Sequence, residues 1–161
     1  MQSILSKMIL GMAAVAFAAS MSSVSAQLED SAIGTWKLNV EKSKYSPGPA
    51  PKSTTVKYEP AGKGVKATVE AVNADGSKMA YEYTANYDGK DVPLTGSPAA
   101  DTVSLVRKDA MTTVRTDKKA GKAVGILTRV MAKDGKSFTV AVEGTNAKGE
   151  PVNNMLLFEK Q

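Results

Sequence analysis

Gly34-Thr35-Trp36-Lys37-Leu38 decides how this chain is read, because it holds the only tryptophan and opens a long series of apolar–polar alternations. A lone indole beside a glycine at the start of a first strand fits a large side chain plugging one end of a closed sheet. Trp36 can bury a large apolar area in one move. Gly34 is expected to let a neighbouring backbone pass close to it.

Outward from that stretch, turn signals recur. Gly62 and Gly64, Asp75-Gly76, Asp88-Gly89, Gly121, Asp134-Gly135 and Gly149 fall between alternating runs, the spacing of one strand plus one tight turn. No segment after Ala26 repeats apolar residues with helical period. The alternation predicts about ten strands, near Thr35 to Val40, Thr54 to Glu59, Val65 to Val72, Lys78 to Tyr87, Lys90 to Leu94, Thr102 to Lys108, Met111 to Thr116, Ala123 to Met131, Ser137 to Thr145 and Val152 to Lys160. So many short-linked strands would expose edges if left open. Closure into a single up-and-down antiparallel β-barrel removes them. A two-sheet sandwich is the alternative, disfavoured because only Glu41 to Ser53 and Thr95 to Asp101 are long connections. Pro47, Pro49 and Pro51 exclude a helix from the first of these. That loop either carries the chain across a barrel end or flaps over the interior.

Residues 1–26 read as a secretory signal peptide, with Lys7 as the positive region, Met8 to Ala19 as a 12-residue apolar core and Val24-Ser25-Ala26 before the cleavage point. Twelve residues rise about 18 Å as a helix, too short for the roughly 30 Å of a bilayer core. The expectation is therefore a cleaved leader, no stable membrane anchor, and an exported domain over 27–161, in the periplasm or outside the cell. The chain has no cysteine, so a core of about 135 residues has to hold it together without disulfides, and no lipidated cysteine tethers it. Loss of the leader's single lysine takes the net charge from +5 to +4. The lysines are scattered over turns and aromatics are few, a pattern of solvated surface and not of nucleic-acid binding.

Catalytic chemistry has little to draw on. Histidine and cysteine are absent, which removes the usual base, thiol nucleophile and soft metal ligands. No serine stands in Gly-x-Ser-x-Gly, and Asp88 and Asp91 are expected to be solvated beside a turn. Asn73, Asp75, Gly76 and Glu82 match part of a calcium loop, but its first ligand position is Ala71. A hairpin turn is the better account, and neither a metal nor a cofactor is expected.

The arginines carry more. Val103 and Leu105 mark an inward parity that Arg107 shares. An inward guanidinium in a dry barrel is costly unless an anion or a hydrogen-bond network meets it. A bound carboxylate is one such partner; the alternative is that Arg107 reaches water at the rim. Arg115 and Arg129 alternate similarly on strands whose inner faces the pattern does not declare. Tyr81, Tyr83 and Tyr87 share one face of the fourth strand, as core packing or as ligand contacts. Phe138, Val140 and Val142 extend an apolar wall. The small inward candidates Ala67, Val69, Val103, Val124, Val140 and Val142 leave a ten-strand barrel short of filling, which favours a cavity.

The Gly34-x-Trp36 pair and the meander resemble the lipocalin and fatty-acid-binding-protein (calycin) superfamily. More closely, Gly34-Thr35-Trp36-Lys37-Leu38-Asn39, Ser46-Pro47-Gly48-Pro49, Tyr87-Asp88-Gly89-Lys90 and Pro151-Val152-Asn153-Asn154 resemble a group of small exported bacterial lipocalin-like proteins. That resemblance implies a barrel whose interior takes a small lipophilic molecule. It also marks departures. The helix-turn-helix lid of the intracellular fatty-acid binders is replaced by the proline loop, and their terminal Arg-x-Tyr carboxylate clamp falls on Leu156 and Phe158. The sequence thus points to a non-enzymatic binder of a small lipophile, with or without an acidic head group. In this reading Arg107 and Arg115 meet the head, and Tyr81, Tyr83 and Phe138 line the wall. The alternative is an interaction or structural protein with a filled barrel, acting through its loops.

Overall fold

A computed structural model describes residues 30–146 and 148–161; the expected signal peptide and its cleavage point lie outside the described residues. Ten antiparallel strands follow one another: β1 (Gly34–Lys44), β2 (Ser53–Ala61), β3 (Gly64–Val72), β4 (Lys78–Ala85), β5 (Val92–Pro93), β6 (Thr102–Arg107), β7 (Thr112–Lys119), β8 (Lys122–Met131), β9 (Ser137–Thr145) and β10 (Pro151–Lys160). Their order in the sheet is β4-β3-β2-β1-β10-β9-β8-β7-β6-β5, an up-and-down meander whose first strand pairs with its last. The ends of that sheet meet where Glu82 and Thr95 exchange backbone hydrogen bonds of 2.9 and 3.0 Å. The barrel is therefore closed and the sandwich alternative is excluded.

The seam depends on Gly96, whose φ of +91° suits glycine; a Cβ there would stand 2.4 Å from the Ala80 carbonyl oxygen. Gly34 has another reason than the one its sequence suggested. Its φ is +133°, and the nearest atom to an added Cβ is the flexible Lys160 side chain, not a passing backbone.

Strand ends differ from the alternation pattern where side chains take over ladder bonds. β1 runs to Lys44 instead of Val40, through a register shift between Asn39 and Lys44. Within it the Ser43 hydroxyl accepts the Leu157 N–H at 3.0 Å. β7 starts one residue late because Asp109 Oδ1 accepts the N–H groups of Met111 and Thr112, both at 2.8 Å. β5 shrinks to two residues. A shift opposite Asp117–Lys118 places an extra residue in β8, so Val124 packs inward although its parity differs from that of Leu127 and Arg129.

Trp36 closes one end as expected. It is fully buried, donates its Nε1–H to the Ala32 carbonyl at 2.7 Å, and meets Phe138 at 4.8 Å between ring centroids. Phe138 stacks in turn on Phe158 at 5.0 Å. Across the other end runs the proline loop. Asn153 N–H donates to the Ser46 carbonyl at 2.7 Å, Asn154 Oδ1 accepts the Ser46 N–H at 2.9 Å, and Lys52 N–H donates to the Val72 carbonyl at 2.8 Å. The strap is thus fixed to β10 and β3. The calcium-loop look-alike is a hairpin turn, with Asp75 Oδ1 accepting from Ser77 N–H at 2.8 Å. Among the described residues no helix is long and apolar enough to cross a membrane, and no group of acidic residues could hold a metal.

Candidate functional site

Alternation along paired strands turns one residue in two toward the interior, and here it turns three arginines inward. Register sets their levels: Arg115 lies opposite Leu105 on β6 and Leu127 on β8, and Arg129 lies opposite Thr113 and Val140. Tyr81 and Tyr83 come in from β4 and Tyr58 from β2, so tyrosine rings cover the guanidinium planes.

Arg115 is flanked by Tyr81 and Tyr83, its Cζ 5.2 and 5.0 Å from their ring centroids. It donates to Asp117 through Nε and Nη2, at 2.6 and 2.8 Å. Burial works against its charge, but Tyr81, Tyr83 and Asp117 outweigh that and hold it protonated well above the ordinary arginine value. Arg129 is 8% exposed; its Nη2 donates to Thr113 Oγ1 at 3.2 Å and stands 3.9 Å from Asp30, with Tyr58 at 4.9 Å. Its Nε–H has no partner. Burial likewise opposes this charge, and Tyr58, Tyr87 and Asp30 reverse the effect.

Asp30 enters the base of the barrel from the N-terminal side. It accepts from Arg107 Nη2 at 3.0 Å and from the Tyr87 hydroxyl, while Arg107 lies over the Tyr87 ring at 4.1 Å. Burial, then the bond to Asp30, raises the Tyr87 phenol above its usual range; burial raises that of Tyr83 further.

Between these groups lies a partly open cavity of about 120 Å³, walled by Tyr58, Tyr81, Tyr83, Arg115, Arg129 and Phe138 among others. It shares Thr54, Val69, Tyr81, Leu156 and Phe158 with a wider, open funnel of about 530 Å³ under Pro47, Pro49 and Pro51. The proline loop therefore stands over the interior, and Leu156 and Phe158 are wall residues.

Four of the five residues singled out from sequence, Arg115, Tyr81, Tyr83 and Phe138, surround this one cavity. Arg107 does not; it lines a separate recess at the base with Asp30, Tyr87 and Lys160, where its carboxylate partner is internal. The expectation of a spacious valine- and alanine-lined hollow also needs correction, because inward Arg and Tyr side chains fill much of it. Arg129 lines the cavity as well, although the alternation pattern does not declare its facing direction. Asp117 and Tyr58 were missed; the signal for Asp117 was its place two residues after Arg115, on the same face of one strand.

Of the ionised side chains, Arg115 is paired with Asp117, and Asp30 is shared between Arg129 at 3.9 Å and the one-third-exposed Arg107 at 3.0 Å.

No protein-family model matches the chain, and no curated protein matches it. Among solved structures, the fold is similar to the crystal structure of zebrafish ileal bile acid-binding protein complexed with cholic acid, with a TM-score of 0.49 and 11% sequence identity over 81% of this chain and 99% of that one.

Proposed function

We propose that this chain is an exported, non-enzymatic lipocalin-like carrier, a 27–161 domain after a cleaved leader, that binds one small amphipathic acid inside its barrel. The observation that carries this is Arg129, a buried guanidinium on the wall of an aromatic cavity that shares its nearby carboxylate, Asp30, with Arg107. A carboxylate placed there gives Arg129 a partner of its own, and a charge-assisted bond of this kind is strong away from water. The apolar body of the ligand then occupies the funnel beneath the prolines. Arg115 contributes positive potential, but Asp117 already takes its best donors. Arg107 supports the base of the site and does not touch the head group.

A filled barrel acting through its surface is the second reading, favoured by the modest 120 Å³ of the cavity. Displacement of a dansylated undecanoic acid probe by decanoate and by decanol separates the two. The carrier reading expects decanoate to compete and Arg129→Gln to weaken it by ten- to a hundredfold while decanol is little affected. Absence of probe binding, together with native mass spectrometry of protein from its own host showing only the apo mass, supports the filled barrel.

A further inference from the structure

The barrel wall has two unlike outer faces. Around β2, β3 and β4 the outward positions carry ion pairs, Lys57 with Glu59 at 2.9 Å and Lys66 with Glu82 at 3.1 Å. On the opposite wall charge nearly disappears. β8 turns Ile126, Thr128 and Val130 outward, because Leu127, Arg129 and Met131 alternate with them and face in. Register sets Thr128 between Val114 and Ala141, with Met155 of β10 beyond Ala141. Glu143, opposite Ile126, is the only charged residue paired with Ile126, Thr128 or Val130. Val106, Ile126, Val130 and Met155 are the large hydrophobic residues left exposed among the described residues, at 37%, 46%, 41% and 48%, and all stand on β6, β8 or β10 of this side. Grouping of that kind marks a contact surface more often than chance exposure.

Lysines mark both ends of the same face. Lys119 and Lys122 flank the β7–β8 turn, Lys133 and Lys136 lie in the β8–β9 turn at the other end, and Lys108 follows β6. All are exposed, and among the described residues none of them is in an ion pair. The nearby acids Asp101, Asp109 and Asp134 are held in backbone bonds, accepting the N–H groups of Ala120, Met111 and Lys136 at 2.9, 2.8 and 2.9 Å. From this pattern we infer that the outer face of β6 to β10 docks the protein reversibly on an anionic lipid surface. The aliphatic side chains enter the headgroup boundary while the ammonium groups meet lipid phosphates. A second copy of the chain fits less well. Two convex barrel walls touch only along a narrow line, and the lysines at the ends of one face would oppose those of the other, on a chain whose net charge is +5. A bilayer surface yields to a convex wall and carries the opposite charge. The face is on the outside of the barrel, so docking there does not depend on what the cavity holds.

Flotation with vesicles of phosphatidylcholine alone, and of phosphatidylcholine mixed with phosphatidylglycerol, tests this. The wild type is expected to bind the anionic vesicles about tenfold more tightly than the neutral ones, and to come off as salt is raised. Lys122→Gln with Lys133→Gln should weaken that binding about tenfold. Ile126→Thr with Val130→Thr should weaken it about fivefold, and threonine already occupies neighbouring outward positions, so the barrel is kept. Lys63→Gln with Lys78→Gln makes the same change of charge on the other wall and should stay within about twofold of the wild type. Absence of flotation, equal flotation with both kinds of vesicle, or equal loss in all three variants overturns the inference. So does an Ile126→Thr/Val130→Thr variant that floats like the wild type, since charge alone would then explain the contact. A wild type that sediments as a dimer, and as a monomer once Ile126 and Val130 are replaced, would assign the face to a second copy instead. None of these outcomes bears on decanoate binding in the cavity, which is read separately.

Discussion

Arg115 and Asp117 stand two residues apart on β7 and bond to each other inside the barrel, Nε to Oδ1 at 2.6 Å and Nη2 to Oδ2 at 2.8 Å. Their side chains are only 12% and 16% exposed, so the pair neutralises a charge that solvent reaches little. Both side chains project from one face of β7, where Tyr81 and Tyr83 flank the guanidinium. Replacing Asp117 with asparagine strands a buried cation. Asp117→Asn is expected to lose about 3 kcal/mol of stability in denaturant titration and to bind decanoate more tightly than the wild type. Unchanged stability would show that water, not Asp117, solvates Arg115.

Asp30 plays the corresponding part for Arg129 at longer range. At 3.9 Å from Arg129 and 3.0 Å from Arg107, its carboxylate lowers the positive potential that an entering anion feels. Asp30→Asn keeps an acceptor for the Tyr87 hydroxyl but removes the charge. Affinity for decanoate should rise about fivefold with decanol unaffected, since opposite charges a few ångströms apart interact by kilocalories in a partly buried site. A parallel change for both probes would assign Asp30 to packing of the base alone.

The architecture was legible because strand alternation and turn residues are local properties. Ser137 to Thr145 on β9 was read without error, and the tyrosine face of β4 follows from parity alone. Arg129 was not assignable because facing direction on β8 depends on which neighbours it pairs with, and the extra residue near Val124 breaks the alternation that would have declared it. The cavity's size was misjudged for a related reason. Valine and alanine positions suggest empty space only if the long polar side chains of other strands are assumed to point out. Asp30 could not be connected to Arg107 and Arg129 from the chain, since those contacts span 77 and about 100 positions in sequence.

Alkali should expose the buried phenols. Burial raises Tyr83 well above its ordinary value of 10.0, and burial together with the bond to Asp30 raises Tyr87. In each case the folded chain holds the proton more firmly than the unfolded one. Their contribution to stability is therefore complete below pH 10 and is lost as pH climbs through the raised folded values. Melting temperature is expected to fall with a steepening slope above pH 10, and Tyr83→Phe should flatten that slope. Decanoate binding, by contrast, should be level from neutral pH up to the onset of that fall, because Arg115 and Arg129 stay protonated throughout. A binding transition near neutrality would mean that some other group controls the site.

Trp36 separates the closing of the barrel from the binding of its guest. The indole is fully buried and bonded to Ala32, with the Lys160 ammonium 5.4 Å from its ring centroid on the way to solvent. It touches Phe138, but it is not part of the cavity wall. Trp36→Phe deletes the hydrogen bond to the Ala32 carbonyl and leaves a void beside Phe138. Together these should cost about 2–3 kcal/mol, combining an unpaired buried carbonyl with a partial large-to-small change. Below the midpoint of its unfolding the variant should bind decanoate within about twofold of the wild type, since Arg129 and the funnel are untouched. Loss of binding in a sample that remains folded by circular dichroism would mean that the plug shapes the cavity instead of merely sealing its base.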